Sequence, residues 1–405
     1  MQEFMQLNRN LKLRTLTVFL AALLNSSIFP NMTIYYSHYF GRFITGILLM
    51  LISGVSFVAG MYGGHLADVY GRKPIMLTGG LLLTTGYVIA AAANNPLLVS
   101  PQITFFAFLI ASVGGSLADP AEQAMMIDAS TAANRKFVYA LIYWIINISV
   151  MLGAALGGWF FRDYLLEMLL ALIAFSLFNL AIVRFGMSET MTEATQTSSS
   201  VWGALKSYLN VLADRRYMLF IIGSVLLAIV TRQPDYYLAV HLGADFHTTT
   251  LFGITIYGQR MLSIVTLVNT VMIVTMMSLF TRLTDKWSLV KANAVGAVLF
   301  AVGFAFSFVT STLWPLIAAA VILTLGEMIS VPANQTLRAD MMNPAKIGAY
   351  SGLMSVVSPI AAIFAGLLVS ASSIFGNYGM AVLMLVFGGL SILATTKAAR
   401  MRANW

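Results

Sequence analysis

The sequence predicts an all-α membrane protein with twelve transmembrane helices. Of its 405 residues, 59% are hydrophobic and only 9% are charged, whereas roughly a quarter of the residues in a soluble chain are charged. Twelve apolar stretches follow one another along the chain, each near the roughly twenty residues that cross a bilayer as a helix. So few polar side chains could not cover the surface of a water-soluble globular protein.

The twelve stretches are numbered here as spans one to twelve, and short polar loops separate them. Span one follows the N-terminal residues directly. We expect it to stay uncleaved, because it is too long for the apolar region of a signal peptide. The predicted boundaries are 14–38, 43–66, 75–93, 102–127, 137–160, 165–186, 217–240, 252–281, 290–309, 314–337, 348–371 and 376–396.

Positive charge predicts the orientation of the spans. The loops on the side opposite the termini contain only Arg42 and Arg162. By the positive-inside rule both termini are cytoplasmic and the protein is a multi-pass protein of the cell membrane. The loops on the terminal side contain Arg9, Lys12, Arg14, Arg72, Lys73, Arg135, Lys136, Lys206, Arg215, Arg216, Arg282, Lys286, Lys291, Arg338, Lys346, Lys397, Arg400 and Arg402, and Arg184 at the end of span six joins them.

One long polar connection divides the chain into two halves. Residues 187–214 form this predicted cytoplasmic linker, between a bundle of six helices in 1–186 and another in 215–405. Apolar residues at helical spacing within the linker predict a short amphipathic helix on the cytoplasmic leaflet. A solvated linker helix fits the same residues, which are Trp202, Leu205, Leu209 and Leu212.

Short sequence echoes indicate that the second half repeats the first. PAEQAMMID at 120–128 recurs as PANQTLRAD at 332–340, an offset of 212, and LADVY at 66–70 recurs as LTDKW at 283–287, an offset of 217. Each echo lies at the same place in its half. This predicts a duplicated six-helix unit, with two bundles related by a pseudo-two-fold axis along the membrane normal and a cavity near the midplane.

Two acidic side chains of span four are candidates for proton binding. Asp119 and Glu122 lie one helical turn apart on a shared face. An ionisable group at bilayer depth costs roughly 2.5–3.5 kcal/mol, which points to a functional role. Two like charges so close favour retention of a proton on one of them. Alternatively, both face a wet cytoplasmic vestibule.

Two further carboxylates are embedded in the second half. Glu327 lies near the middle of span ten and Asp235 in the outer part of span seven. A carboxyl group that binds either a proton or a cation provides the minimum chemistry for antiport. Glu327 could instead make a structural hydrogen bond. Asp235 could be the ion-pair partner of Arg232 or Arg260, the two embedded cations that the sequence indicates.

Aromatic and thioether side chains near these acids are candidates for contacts with an apolar, cationic substrate. Plain helix packing or anchoring at the membrane interface accounts equally well for most of them. Four histidines, at 38, 65, 241 and 247, lie near span ends, where we expect a surface role. The candidate substrate contacts are Tyr35, Tyr36, Tyr143, Trp144, Tyr236, Tyr237 and Met328.

The loop after span two carries a family motif. GHLADVYGRKP at 64–74 resembles the G-x-L-A-D-R-x-G-R-K signature of the major facilitator superfamily, with Val69 in place of the usual first arginine. This resemblance implies the fold of that superfamily, which fits the two predicted six-helix bundles. It also implies an ionic latch that holds the outward-facing state, formed by Asp68, Gly71, Arg72, Lys73 and Asp128.

Further segments resemble one group within that superfamily. These segments are similar to the drug:proton antiporters of the lactococcal multidrug transporter group: MTIYY at 32–36, IDAS at 127–130, IYGQRML at 256–262, TLGE at 324–327 and MNPAKIGAYSG at 342–352. The resemblance implies export of varied lipophilic, often cationic compounds in exchange for protons. It assigns functional roles to the carboxylates of Asp68, Asp128, Asp235 and Glu327.

The sequence also departs from this group. Ile142 replaces an acidic residue expected early in span five, while Asp119 and Glu122 are acids that the group does not lead us to expect. These differences in acidic residues predict a rearranged proton-coupling network. GAALGG at 153–158 resembles the G-P-x-x-G-G antiporter motif with its proline replaced by Ala154, and ordinary close helix packing accounts for it at least as well.

Other functions lack the residues they need. No Walker-type phosphate loop or HExxH zinc motif occurs, and no cysteine is present, so we expect no enzyme, no cofactor and no metal site. The expected partners are protons, lipophilic small molecules and membrane lipids, without nucleic acid, and the expected functional form is a monomer. An amphiphile or lipid flippase, a facilitator for a small nutrient and, least favoured, an intramembrane enzyme are the alternatives.

Overall fold

The computed structural model describes residues 2–131, 134–191, 211–343 and 346–401. The amphipathic helix predicted around Trp202 falls outside these residues. Within them the chain is a series of helices with two small antiparallel hairpins, which pair Asn94–Asn95 with Leu98–Val99 and Thr249–Leu251 with Ile254–Ile256.

Nine helices in the described part of the chain are long and apolar enough to cross a membrane. Two of them each contain two of the predicted spans, and span seven is divided into shorter pieces, so all twelve spans have a helical counterpart. This confirms the predicted all-α membrane fold. The helices are Gln2–Met5, Arg9–Tyr70, Arg72–Ala92, Pro101–Ala129, Arg135–Phe160, Leu165–Ala181, Arg215–Thr231, Tyr237–Asp245, Gly258–Thr284, Leu289–Val309, Leu313–Met341, Ile347–Met354 and Val357–Arg400.

Glycine separates the spans that share a helix. Arg9–Tyr70 contains spans one and two and has non-helical backbone at Gly41, with φ of 75°. Val357–Arg400 contains most of span eleven and all of span twelve, and its break is at Gly376, with φ of 61°. Positive φ is unfavourable for residues with a side chain, so each reversal of the chain falls at a glycine.

Span seven is broken at a proline. Its first helix ends at Thr231, a 3-10 turn covers Gln233–Asp235, and a second helix begins at Tyr237. Pro234 has no backbone N–H and cannot continue the α-helical ladder. The side-chain amide of Gln233 donates to the carbonyl oxygen of Ile229 at 2.8 Å and thereby satisfies one backbone acceptor at the break. Asp235 therefore lies in irregular backbone.

The helices form two compact units. The first comprises residues 1–39 and 51–196, and the second comprises 40–50 and 197–405. The start of span two thus belongs to the second unit, although it precedes the predicted boundary at 186. In this segment Gly46 lies against the backbone of Ser370 and Gly366 in span eleven. The boundaries at 187 and 214 stay a prediction.

The same packing plan recurs inside each unit. In the first unit span three packs against spans four and six, and in the second span nine packs against spans ten and twelve. Gly79 faces Gly114 between spans three and four, and Gly296 faces Gly326 between spans nine and ten. The second glycine pair lies 217 and 212 residues after the first, which are the offsets of the sequence echoes. Small residues at such positions let membrane helices approach closely.

Replacement of Gly326 by alanine should destabilise the protein. The added Cβ would lie 2.7 Å from the carbonyl oxygen of Gly296 and 2.7 Å from the amide nitrogen of Phe300, and backbone atoms cannot rotate away. We expect Gly326→Ala to cost about 1–3 kcal/mol and to lower the thermal midpoint in detergent. Gly389→Ala is the matched control, because its Cβ would meet nothing within 4 Å. Equal midpoints for the two variants would contradict this packing.

Candidate transport site

One hydrogen-bonded polar site within a spanning segment surrounds Glu327 on span ten. The side-chain amide nitrogen of Asn269, on span eight, donates to Glu327 Oε2 at 2.7 Å and to the hydroxyl oxygen of Thr324 at 3.2 Å. The Thr324 hydroxyl donates in turn to the carbonyl oxygen of Ala320 at 2.6 Å. Thr324 is fully buried and Glu327 is half-buried. The site therefore holds one carboxylate oxygen in place from a neighbouring helix.

Asn269 was not a candidate in the sequence analysis. It is a lone asparagine in an apolar span, and its spacing from Glu327 carries no signal, because the two residues come together only where spans eight and ten pack. Met328, which the sequence places beside Glu327, is 1% exposed. Its thioether is part of the packed interior in this conformation and is not open to a substrate.

The acids of span four do not form an isolated like-charged pair. Glu122 Oε2 accepts from the guanidinium of Arg14 at 2.5 Å, with the side chains 19% and 8% exposed. Asp119 accepts instead from the side-chain amide of Gln123 at 2.8 Å. Arg14 is therefore a buried cation, although the sequence placed it among the charges of the cytoplasmic side and indicated Arg232 and Arg260, which are only partly buried, as the embedded cations. Charged side chains this deeply buried require a partner of opposite sign.

Each of the two cations predicted in the second half donates a hydrogen bond to a neutral group. The guanidinium of Arg232 donates to the hydroxyl of Ser358. Arg260 donates to the carbonyl oxygen of Thr255 at 2.6 Å, and its guanidinium lies 4.6 Å from the centroid of the Tyr257 ring. Asp235 lies in the break of span seven, three residues after Arg232.

The aromatic candidates divide into two groups. Tyr35 and Tyr236 are 8% and 2% exposed, and the Tyr35 hydroxyl donates to the Asn94 side chain at 3.0 Å. Tyr143 and Trp144 on span five are 58% and 57% exposed. Only the second group presents a large accessible ring surface in this conformation.

Ile142 occupies the position in span five where the resemblance leads us to expect an acid. It lies in an apolar cluster with Leu7, Leu11, Met126 and Val138, and is 9% exposed. A carboxylate there would be buried among hydrocarbon side chains, which is costly without a partner. The position belongs to the core of the first unit.

The signature loop brings together three of the predicted latch residues. Arg72 Nη1 donates to Asp68 Oδ1 at 2.7 Å and to the carbonyl oxygen of Ala67 at 2.8 Å, while its Nε donates to Asp128 Oδ2 at 3.2 Å. Lys73 Nζ donates to the carbonyl oxygens of two residues at the end of span six, Arg184 at 2.9 Å and Met187 at 2.8 Å. The loop thus ties together spans two, three, four and six.

Glu189 also binds this loop, although its position in the sequence lies in the predicted linker. Its carboxylate accepts from the backbone N–H groups of Arg72 at 3.1 Å and Lys73 at 2.9 Å, which are unpaired donors at the first turn of span three. A Cβ at Gly71, where φ is 100°, would lie 2.7 Å from Glu189 Oε2. Partial burial alone would raise the pKa of Glu189, but these backbone hydrogen bonds outweigh it and lower the pKa.

A second charged network lies in the second unit, on the side opposite the termini. Arg42 donates to both carboxylate oxygens of Asp245, at 2.8 and 2.9 Å, and Asn377 donates to Oδ2 at 3.1 Å. Burial would raise the pKa of Asp245, but the hydrogen bonds from Asn377 and Arg42 lower it overall. The carboxylate therefore stays charged at neutral pH.

His241 joins this network, and the expectation that it has a surface role is wrong. It is fully buried, with Nδ1 3.0 Å from Asp245 Oδ2 and Nε2 2.9 Å from the carbonyl oxygen of Thr310. Each ring nitrogen of His241 therefore faces an oxygen of another residue. No residue pattern around His241 signals this burial.

Comparisons with known proteins agree with the fold and the signature loop. The profile of the Major Facilitator Superfamily matches residues 15–366. A Na(+), Li(+), K(+)/H(+) antiporter of Planococcus maritimus is 27% identical over 402 residues, 96% of this chain and 94% of the relative. The multidrug resistance protein MdtH of Proteus mirabilis (strain HI4320) is 24% identical over 331 residues, 80% of this chain and 77% of the relative.

A solved structure gives the same fold. The crystal structure of a POT family transporter in complex with a thioalcohol-conjugated peptide superposes with a TM-score of 0.72, at 15% identity, and covers 96% of this chain and 95% of that one. Fold and sequence together define a multi-pass membrane transporter, and not an enzyme. The chain belongs to the Major Facilitator Superfamily.

Replacement of Asp128 by asparagine should shift the conformational balance, because Asn cannot offer the charged oxygen that Arg72 Nε contacts. We expect slower transport with substrate binding retained, and altered spin-label distances across the face that carries this loop. Asp340→Asn is the matched control. Asp340 is the repeat counterpart of Asp128, is exposed, and makes no ion pair in the described part of the chain. Unchanged distances in the Asp128 variant would remove the latch hypothesis.

Proposed function

We propose that this transporter is an antiporter that exports lipophilic cations across the cell membrane in exchange for protons. The observation that carries the proposal is the half-buried carboxyl group of Glu327, held on one side by Asn269. Such a group compensates the charge of either a proton or an organic cation at bilayer depth, but not of both at once. The two cargoes therefore alternate at one site.

The names of the relatives point to two kinds of substrate. MdtH is named a multidrug resistance protein, whereas the relative from Planococcus maritimus is named an antiporter of Na⁺, Li⁺ and K⁺. Proton-coupled exchange of alkali cations is therefore the second candidate. An alkali ion needs several oxygen ligands, as hard cations do, and Asn269 presents its N–H₂ group, not its oxygen, to Glu327. This orientation favours an organic cation.

The acidic groups also support a second proton site. Glu122 is neutralised by Arg14, so we assign this role to Asp119 or Asp235. One proton exchanged for one monovalent cation moves no net charge. A second proton adds a pH term of about 1.4 kcal/mol per unit and a voltage term of about 2.3 kcal/mol per 100 mV. Two protons per cation thus supply two pH terms and one voltage term. For one pH unit and 100 mV this is about 5 kcal/mol, enough for a gradient of several thousandfold.

We further propose that both termini are cytoplasmic, as the distribution of Lys and Arg requires, and that the monomer is the functional form. In this orientation the loop at 64–74 faces the cytoplasm and acts as the ionic latch. The network of Arg42, His241 and Asp245 faces the exterior. Tyr143 and Trp144 provide accessible ring surface for an apolar cation.

Transport by purified protein in lipid vesicles tests the proposal. We expect an imposed pH gradient to drive a fluorescent lipophilic cation against its gradient, and a membrane potential at fixed pH to drive it as well, because the exchange moves net charge. Sodium and potassium, tested in the same vesicles, should not release protons. If alkali cations release protons and the lipophilic cation does not move, the second candidate is correct and the first is wrong.

Glu327→Gln should reduce export of cationic substrates at least tenfold, because glutamine keeps the shape but cannot become negative. Export of a neutral lipophilic substrate should change less. Glu167→Gln is the matched control, since Glu167 is an exposed acid of span six. Equal losses for the two substrate classes would assign Glu327 a structural role.

A further inference from the structure

We infer that Asn269 is a positioning residue for Glu327, and that it leaves only Oε1 of the carboxyl group available to exchange a proton for a cation. The inference deepens the proposed function and rests on it. It concerns a residue for which the sequence analysis found no role and which reaches Glu327 from a different helix.

The orientation of the Asn269 amide follows from its neighbours. The hydroxyl hydrogen of Thr324 is directed to the carbonyl oxygen of Ala320 at 2.6 Å. The oxygen of that hydroxyl is left as an acceptor, so the amide atom 3.2 Å away must be the N–H₂ group of Asn269. A flipped amide would place its oxygen against two acceptors.

Both hydrogens of that N–H₂ group are therefore committed. One goes to Thr324 and the other to Glu327 Oε2 at 2.7 Å. The Oε2 lone pair that faces Asn269 is occupied by this hydrogen bond, and a proton on the other lone pair of Oε2 would weaken it. A proton on Oε1 keeps the bond at full strength, so we place the proton of neutral Glu327 there.

This arrangement gives a physical reason for strict alternation at the site. A carboxylate with two accessible oxygens can hold a proton on one oxygen and still face a cation with the other. Here one oxygen is fixed in both protonation states, so proton and cation compete for the same atom. The hydrogen bonds that run from Glu327 through Asn269 and Thr324 to the carbonyl oxygen of Ala320 hold that oxygen in place.

The site is confined to the second half of the chain. At the repeat offset of 212, the counterpart of Glu327 in span four is Gly115, and at the offset of 217 the counterpart of Asn269 in span two is Ile52. Neither counterpart has a polar side chain. The Asn269–Glu327 contact is therefore specific to the second half and is not part of the helix packing that both halves share.

A double-mutant cycle between Asn269→Leu and Glu327→Gln tests the inference in reconstituted vesicles. We expect Asn269→Leu to raise the apparent KM for a lipophilic cation about tenfold, with a clearly smaller effect on export of a neutral substrate. Because Asn269 acts through Glu327, the double variant should export the cation no worse than Glu327→Gln alone. Additive effects of the two substitutions would overturn the inference.

Two further variants keep the test decisive. Thr324→Val retains the Asn269–Glu327 contact but removes the hydroxyl that fixes the amide, and should raise the KM for the cation about threefold. This variant decides the question if Asn269→Leu does not fold. Asn334→Leu is the matched control, since it removes another cross-helix asparagine bond, to Asn293 at 3.1 Å. If it changes the cation KM as much as Asn269→Leu, the effect is structural and the inference fails.

The same experiment separates the two proposals. If Glu327→Gln impairs cationic and neutral substrates equally, the proposed function fails whatever Asn269→Leu does. If Glu327→Gln impairs cations selectively and Asn269→Leu has no effect on the cation KM, only the positioning role of Asn269 fails.

Discussion

The close approach of spans nine and ten is the constraint on which the candidate site depends. Gly296 and Gly326 bring the two backbones together, so that a single methyl group on Gly326 would meet the carbonyl oxygen of Gly296 at 2.7 Å. Glu327 is the next residue, and its rotation around the helix axis directs it away from span nine and toward Asn269 of span eight. Without a fixed position for span ten, the carboxyl group would have no fixed partner.

This constraint has a reason in the lipid environment. Apolar side chains gain little from contact with each other when lipid is equally apolar, so close packing and hydrogen bonds between helices supply the specificity. The first unit uses the same device at Gly79 and Gly114. The duplication thus preserves the packing, while the polar groups differ between halves. Arg72 and its partners lie in the first half, and Glu327 and Asn269 lie in the second.

Three ion pairs in the described part of the chain join residues that are far apart in the sequence. Arg14 pairs with Glu122, Arg72 with Asp128, and Arg42 with Asp245. Buried charges are tolerated only when paired and hydrogen-bonded. The half-buried carboxyl group of Glu327 differs from these paired acids, because its described partner is a neutral amide, as is that of Asp119. This difference is the physical basis for assigning exchange to Glu327 and structural roles to the ion pairs.

The sequence by itself determined the all-α fold, the twelve spans and the superfamily signature, because hydrophobic length and short motifs are local properties of the chain. It also singled out Glu327, since an acid in an apolar span is conspicuous. It could not indicate Asn269, Glu189, the burial of His241 or the pairing of Arg14 with Glu122. Each of these depends on which helix faces meet, and a hydrogen bond between residues 58 or 117 positions apart leaves no periodic trace in the sequence. Only the tertiary packing decided them.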